Sequence, residues 1–148
     1  MIKHNTFLLP VRVYYEDTDA GGVVYHSNYI SFFERARTEW LRQLGYELDE
    51  LAEEENTIFV VRAVSCDYLR PALFNDELFV SAEIREVGKT SIQFTQKVMR
   101  AAKESDLLKG NETCIVLAEG TVTVVCVDAK RFRPKRIPKL LYETMKEL

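Results

Sequence analysis

Tyr15, Asp19 and His26 are the residues of this chain whose types and spacing most directly suggest chemistry. Asp19 lies in the loop Glu16-Asp17-Thr18-Asp19-Ala20-Gly21-Gly22, and Tyr25-His26 follow just before the longest helical pattern in the sequence. A carboxylate-rich turn that feeds a helix N-terminus sets a base or nucleophile beside backbone N–H groups with no acceptor inside the helix. Those donors, aided by the helix dipole, can take the negative charge that forms when a carbonyl is attacked. Aspartates in polar loops also have a plainer use, folding their side chains back onto the backbone. The glycines that follow at once, the Tyr-His pair and the scarcity of other catalytic residues favour Asp19 as the working carboxylate. No nucleophile elbow, Walker loop, GxGxxG or HExxH is present.

His26 is one of two histidines. A positive charge there would oppose the helix dipole, which favours a neutral imidazole able to hydrogen-bond water or a leaving group. Its backbone N–H is a candidate oxyanion donor whatever the ring does. Tyr15 offers a phenol at the end of the first strand, with core packing as the alternative. Gly21 and Gly22 permit positive φ or a close approach to a ligand. Gly22, Val23, Tyr25 and Asn28 surround this turn and are expected to line the substrate. Arg62 and Lys89 are cations that could reach phosphate. His4, near the terminus, is assigned no role.

The elements needed to hold these residues can be read from periodicity. Residues 8–15 alternate as a strand. A helix of about 17 residues should start near Ser27 or Asn28, both good caps, bury Tyr29, Phe33, Ala36, Trp40 and Leu44, and stop at Gly45. Its other side carries Arg35, Glu39 and Arg42, with Arg35–Glu39 an i,i+4 pair. The acidic run 47–55 suits a short surface helix. Strands follow at 58–69, 77–87, 90–100 and 112–127, with a turn at Asn75-Asp76, a hairpin at Gly88-Lys89, a looser loop at 103–111 and a bulge at Gly120. Between Asp128 and Glu143 lie six basic residues and no acidic one, and Pro138 can open a last helix through Lys146.

A chain of 148 residues, 47% hydrophobic and of net charge −3, is long enough for one domain with a real core. Its acidic balance argues against general nucleic-acid binding, and no apolar run reaches the ~20 residues needed to span a bilayer. The start lacks the features of a signal peptide. Cys66, Cys114 and Cys126 form no CxxC, so a metal site has few ligands to draw on and free core thiols in a cytoplasmic protein are expected.

The block VRVYYEDTDAGGVVYHSNYISFFERARTEWL strongly resembles the opening of the 4-hydroxybenzoyl-CoA thioesterase family of hotdog-fold enzymes. Within that family it is most similar to the bacterial acyl-CoA thioesterases encoded alongside the Tol–Pal system. FVVR at 59–62, SIQFTQKV at 91–98 and VVCVD with the Pro-Lys-rich segment through 139 extend the resemblance over nearly the whole chain. It implies an α+β hotdog fold over residues 1–148, a five-stranded antiparallel sheet wrapped around one long helix. It also implies dimers joined edge to edge, often paired again into homotetramers, with active sites at subunit interfaces. In this family the catalytic carboxylate falls on Asp19 and the oxyanion donor on the His26 N–H, with the Tyr15 and His26 side chains beside them. The implied reaction is hydrolysis of an acyl-CoA, short-chain by branch, with no cofactor beyond the CoA of the substrate. The family's phosphate-holding cations vary, so Lys89 and Arg62 stay candidates. The basic tail suits acidic acyl-carrier protein as an alternative partner, or weak association with anionic lipid. A non-catalytic acyl-CoA-binding module and a hydratase on the same fold are the rival readings.

Overall fold

The structure is a computed structural model and describes residues 6–100 and 115–148. Its elements are β1 (Phe7–Arg12), α1 (His26–Gln43), α2 (Leu48–Glu55), β2 (Thr57–Tyr68), β3 (Glu77–Val87), β4 (Ser91–Arg100), β5 (Ile115–Asp128) and α3 (Lys139–Lys146). The five strands form one sheet in the order β1-β3-β4-β5-β2, antiparallel at every junction. Period-two alternation sends Leu78, Val80 and Ala82 of β3, Ile92, Phe94 and Val98 of β4, and Val122, Val124 and Cys126 of β5 into a single core. Helix α1 packs across β1, β3 and β4 with Tyr29, Phe32, Phe33, Ala36, Trp40 and Leu41 buried. Trp40 meets Phe94 edge to face, ring centroids 5.2 Å apart. This is the hotdog arrangement, a sheet curled on one long helix.

Gln96 is the exception in the apolar row of β4, fully buried yet fully used. Its Nε2 donates to the Phe33 carbonyl at 3.0 Å and the Ser81 carbonyl at 3.1 Å, and its Oε1 accepts from Arg37 Nη1 at 2.9 Å. One amide thus ties α1 to the sheet at a point where apolar packing alone would let it slide. At its far end α1 closes in a Schellman turn: Gly45 (φ 98°) donates to the Arg42 carbonyl and Tyr46 to that of Leu41.

Several expected boundaries shift. The first strand ends at Arg12, and Tyr15–Asp17 form a 3₁₀ turn, because the Asp17 carboxylate takes the Tyr14 N–H that a longer strand would need. Helix α1 begins at His26, with Tyr25 at the cap and no side-chain cap bond, so neither Ser27 nor Asn28 caps it. The Arg35–Glu39 pair is not formed. Glu39 pairs with Arg42, which also meets Glu47 at 2.9 Å, while Arg35 sits 5.6 Å from the Phe32 ring centre.

Gly120 lies in regular register, opposite Cys66 and Gln96, and is not a bulge. The extra residues are Arg62 in β2, Arg85 in β3 and Leu117 in β5. Gly120 is required for a different reason: a Cβ there would stand 1.9 Å from the Ser65 carbonyl oxygen.

The basic segment is partly structural. Phe132 (φ 56°) sits on a turn tied to Asp128, and Lys135 Nζ donates to the Glu55 carbonyl and to Thr57 Oγ1. Ile137, Leu141 and Met145 then carry α3 into the main core. Cys66 and Cys126 are free thiols; burial pushes Cys66 up and Cys126 up to about 11, leaving them protonated and quiet near neutral pH. Cys114, the loop at 103–111 and the first part of the 112–127 strand lie outside the described residues. Among the described residues, no helix is long and apolar enough to cross a membrane.

Candidate active site

The loop and the helix N-terminus are joined by a short ladder. Asp19 N–H donates to the Val23 carbonyl, Gly22 N–H to the Asp19 carbonyl and Tyr25 N–H to the Asp17 carbonyl, all at 2.9–3.0 Å. Thr18 pairs with Val24 across the turn, and Val23 pairs with Leu73. Gly22, at φ 79°, lets the chain reverse. The result is a tight hairpin whose tip carries Asp19 and whose return arm runs directly into α1.

The two aspartates are treated in opposite ways. Asp17 is 4% exposed, its Oδ2 accepting from Tyr14 N–H and its Oδ1 from Asn28 Nδ2, each at 2.9 Å. Asp19 is exposed; its Oδ1 accepts from Gly21 N–H at 2.8 Å, and among the described residues its other oxygen has no partner. A carboxylate held by one oxygen and open at the other is oriented yet available to react.

The first turn of α1 supplies the complementary feature. Asn28 N–H bonds the Tyr25 carbonyl, but among the described residues the N–H groups of His26 and Ser27 have no acceptor. Two such donors at the positive end of an 18-residue helix can stabilise a negatively charged oxygen. The exposed His26 ring lies 4.4 Å from the Tyr25 ring and 6.3 Å, edge-on, from that of Tyr68. Tyr68 in turn meets Tyr29 at 5.4 Å, and the Tyr29 hydroxyl accepts from Ala72 N–H at 3.0 Å. Burial pushes both phenols up, so they remain hydrogen-bond donors at neutral pH. Tyr68 had no signal in the sequence, because its proximity to His26 arises only when β2 runs back past the start of α1.

Tyr15 is strongly exposed and lies flat on Phe74, centroids 3.9 Å apart and planes 6° from parallel. It is bound to the loop through the turn closed by Asp17, not through core packing. Asp19, His26, Gly22, Val23 and Tyr25 are thus brought together, with Tyr15 on the adjoining turn, while Asn28 spends its amide on Asp17. Arg62 and Lys89 are not part of this group within one chain. Arg62 lies six residues before Tyr68, about 20 Å along β2, and Lys89 turns at the opposite end of the sheet. Among the described residues no three His, Cys, Asp or Glu side chains converge as metal ligands.

A second feature lies along α1 towards its C-terminal half. A cavity of about 170 Å³ is walled by Trp40, Leu41, Phe59, Val61, Phe94 and Val124, with Arg37 at its margin. Burial pulls the Arg37 guanidinium below its ordinary range. The cavity opens beside the helix-facing row of β2, where Val61, Val64 and Tyr68 are left exposed.

Residues 21–105 match the thioesterase superfamily. The chain is 45% identical over 135 residues to an acyl-CoA thioesterase YbgC of Haemophilus influenzae, covering 91% of this chain and 90% of that protein. It is 43% identical over 141 residues to an acyl-CoA thioester hydrolase YbgC of Escherichia coli, covering 95% and 96%. Among solved structures, a probable thioesterase from Bartonella henselae superposes with a TM-score of 0.78 at 29% identity, covering 90% of this chain and 99% of that one. By sequence and by fold, the chain belongs to the thioesterase superfamily.

Proposed function

We propose that the chain hydrolyses acyl-CoA thioesters, converting acyl-S-CoA and water into a free acid and CoA. The observation that carries this reading is the start of α1, which has no side-chain cap and whose His26 and Ser27 N–H groups, among the described residues, stand unpaired beside the loop that presents Asp19. The thioester carbonyl would accept from the His26 N–H, and loss of such a donor costs about 3 kcal/mol of barrier. Asp19 then acts in one of two ways. It attacks the carbonyl carbon to give a mixed anhydride and CoA thiolate, with water opening the anhydride, or it takes a proton from the water that attacks. The Tyr15 and His26 side chains orient water or the carboxylate. The H. influenzae and E. coli relatives, named for acyl-CoA thioester hydrolysis, support the substrate class.

The working unit in this reading is a pair of chains joined along β2. That strand is a sheet edge whose helix-facing Val61 and Val64 are uncovered, a surface that invites another strand. Antiparallel pairing of β2 with its copy would carry the Thr57 end of one sheet, with its cavity and Lys89, to the Tyr68 end of the other. The apolar cavity would then accept the acyl group next to Asp19. Its volume is close to the ~150 Å³ of an apolar cavity that holds benzene, which favours short acyl groups. The reading places the enzyme in the reducing cytoplasm, consistent with free thiols at Cys66 and Cys126.

Assaying thiol release over acyl-CoAs of increasing chain length tests the activity. Hydrolysis is expected, fastest for short chains; binding without release, or double-bond chemistry instead, would sink the reading. Acyl-carrier-protein thioesters belong in the same panel, because Arg131, Arg133 and Arg136 form an exposed basic surface suited to an acidic carrier. For the dimer, Val64→Lys places like charges near the centre of the β2 seam. Sedimentation should then show a shift to monomer with activity lost alongside, whereas an unchanged oligomer would exclude this seam.

A further inference from the structure

We infer that Asp17 and Asn28 form a positioning pair that sets where α1 begins and how Asp19 faces it; the inference rests on the hydrolysis proposed above. Asp17 is nearly fully buried, and no cation pairs with it among the described residues. A carboxylate removed from water in this way needs its hydrogen bonds, and each one here joins a different piece of chain. Oδ2 holds Tyr14, where the chain leaves β1 for the turn carrying Tyr15. Oδ1 holds Asn28 in the first turn of α1. The Asp17 carbonyl takes Tyr25 N–H at the helix entry. One residue therefore fixes the strand exit, the reactive loop and the helix start with respect to one another.

The Asn28 half of the pair accounts for the unusual cap. Asparagine is among the best N-cap residues because its side-chain oxygen can bond a first-turn N–H. With Asn28 at the cap, α1 would start after it, and the His26 N–H would no longer belong to the helix terminus. Instead the Asn28 amide donates back to Asp17, its own N–H bonds the Tyr25 carbonyl, and the helix opens at His26 with two donors that have no acceptor among the described residues. The charge on Asp17 also favours this arrangement, since a carboxylate beside a helix N-terminus is stabilised by the dipole. Asp17 and Asn28 touch no reacting atom in this scheme. They act through the placement of the His26 N–H and of Asp19.

Catalytic alignment is steep in distance, an error of about 1 Å being worth roughly 100-fold. Asn28→Ala is therefore expected to lower kcat about 100-fold with KM for a short acyl-CoA nearly unchanged, the pattern of an interaction used only in the transition state, and to lower the thermal midpoint as well, because the buried Asp17 Oδ1 loses its donor. Asn28→Asp sets two carboxylates against each other and should be worse. Adding Asp17→Asn to it reverses the polarity of the bond: the introduced amide can still accept from Tyr14 N–H while donating to the introduced carboxylate, so kcat should recover by at least about tenfold. This exchange keeps the test decisive even if Asn28→Ala folds poorly. The inference is overturned if Asn28→Ala retains kcat within twofold, if its effect appears only as a raised KM or a lowered midpoint, or if Asp17→Asn fails to rescue Asn28→Asp. Failure of the underlying reading looks different, because the unaltered chain itself would then hydrolyse no thioester.

Discussion

Asp19→Asn is expected to reduce kcat by roughly 10²- to 10⁴-fold, the range associated with a positioned acid–base group. The change removes charge and little else. Asp19 is exposed, and the carboxamide oxygen can keep the bond from Gly21 N–H that now measures 2.8 Å. Thermal midpoint, oligomeric state and KM should therefore match the unaltered protein, and the loss should fall on kcat. Steady-state kinetics with a short acyl-CoA measures this directly, and a variant of near-normal kcat would remove Asp19 from the mechanism. The same assay, run as a single turnover in heavy-oxygen water, establishes the anhydride route if label appears in Asp19. An anhydride opened at the Asp19 carbonyl leaves the label in the protein, whereas direct attack by water leaves it all in the released acid.

Gly120→Ala should be the most damaging small substitution in the sheet. The added Cβ would lie 1.9 Å from the Ser65 oxygen, 2.9 Å from the Ser65 carbonyl carbon and 3.1 Å from Cys66 Cα. All three are backbone atoms, so no rotamer change relieves the clash, and β2 must part from β5. Separation also strains the Ser65–Thr121 hydroxyl contact at 2.9 Å. Overpacking of a well-filled site costs about 1–3 kcal/mol, and a backbone collision belongs at or beyond the top of that range. In a domain of this size, about 3 kcal/mol corresponds to a midpoint lowered by about 10 °C. Gly88→Ala is the matched control, because its Cβ would meet the rotatable Ser91 Oγ first, at 3.2 Å. Calorimetry of both variants checks the contrast, and equal midpoints would refute it.

The legible parts of the fold were those governed by local rules. Strand alternation placed β3 at 77–87 with the bounds observed, and β4 within one residue, because both are central strands with an alternating apolar row on the core face. Gly45 ended α1 as expected, since the left-handed residue of a Schellman turn is a local demand. Elsewhere the local rule lost to a distant partner. Ser27 and Asn28 have the right chemistry for a cap, but Asn28 is claimed by Asp17 eleven residues earlier. Gly120 had the look of a bulge; its cause is the backbone of β2, more than fifty residues away in sequence. The Arg35–Glu39 pair gave way to Arg42 because Arg42 can also reach Glu47.

The loop EDTDAGG followed by Tyr-His and a long helical period is a local pattern, and by itself it determined that a carboxylate would stand before a helix N-terminus. Residue type alone did not distinguish Asp17 from Asp19; the glycines that follow at once and the Tyr-His pair favoured Asp19, and the resemblance pointed to the same residue. The tertiary structure shows the physical difference. Asp17 is turned inward onto Tyr14 and Asn28, and Asp19 outward with one oxygen unpartnered among the described residues. It also decided that the helix would open at His26, and that Tyr68 would stand beside the imidazole. Periodicity and turn chemistry are written into neighbouring residues, so a sequence declares them. Which donor stays unpaired depends on every acceptor within reach, and that is known only once the chain has folded.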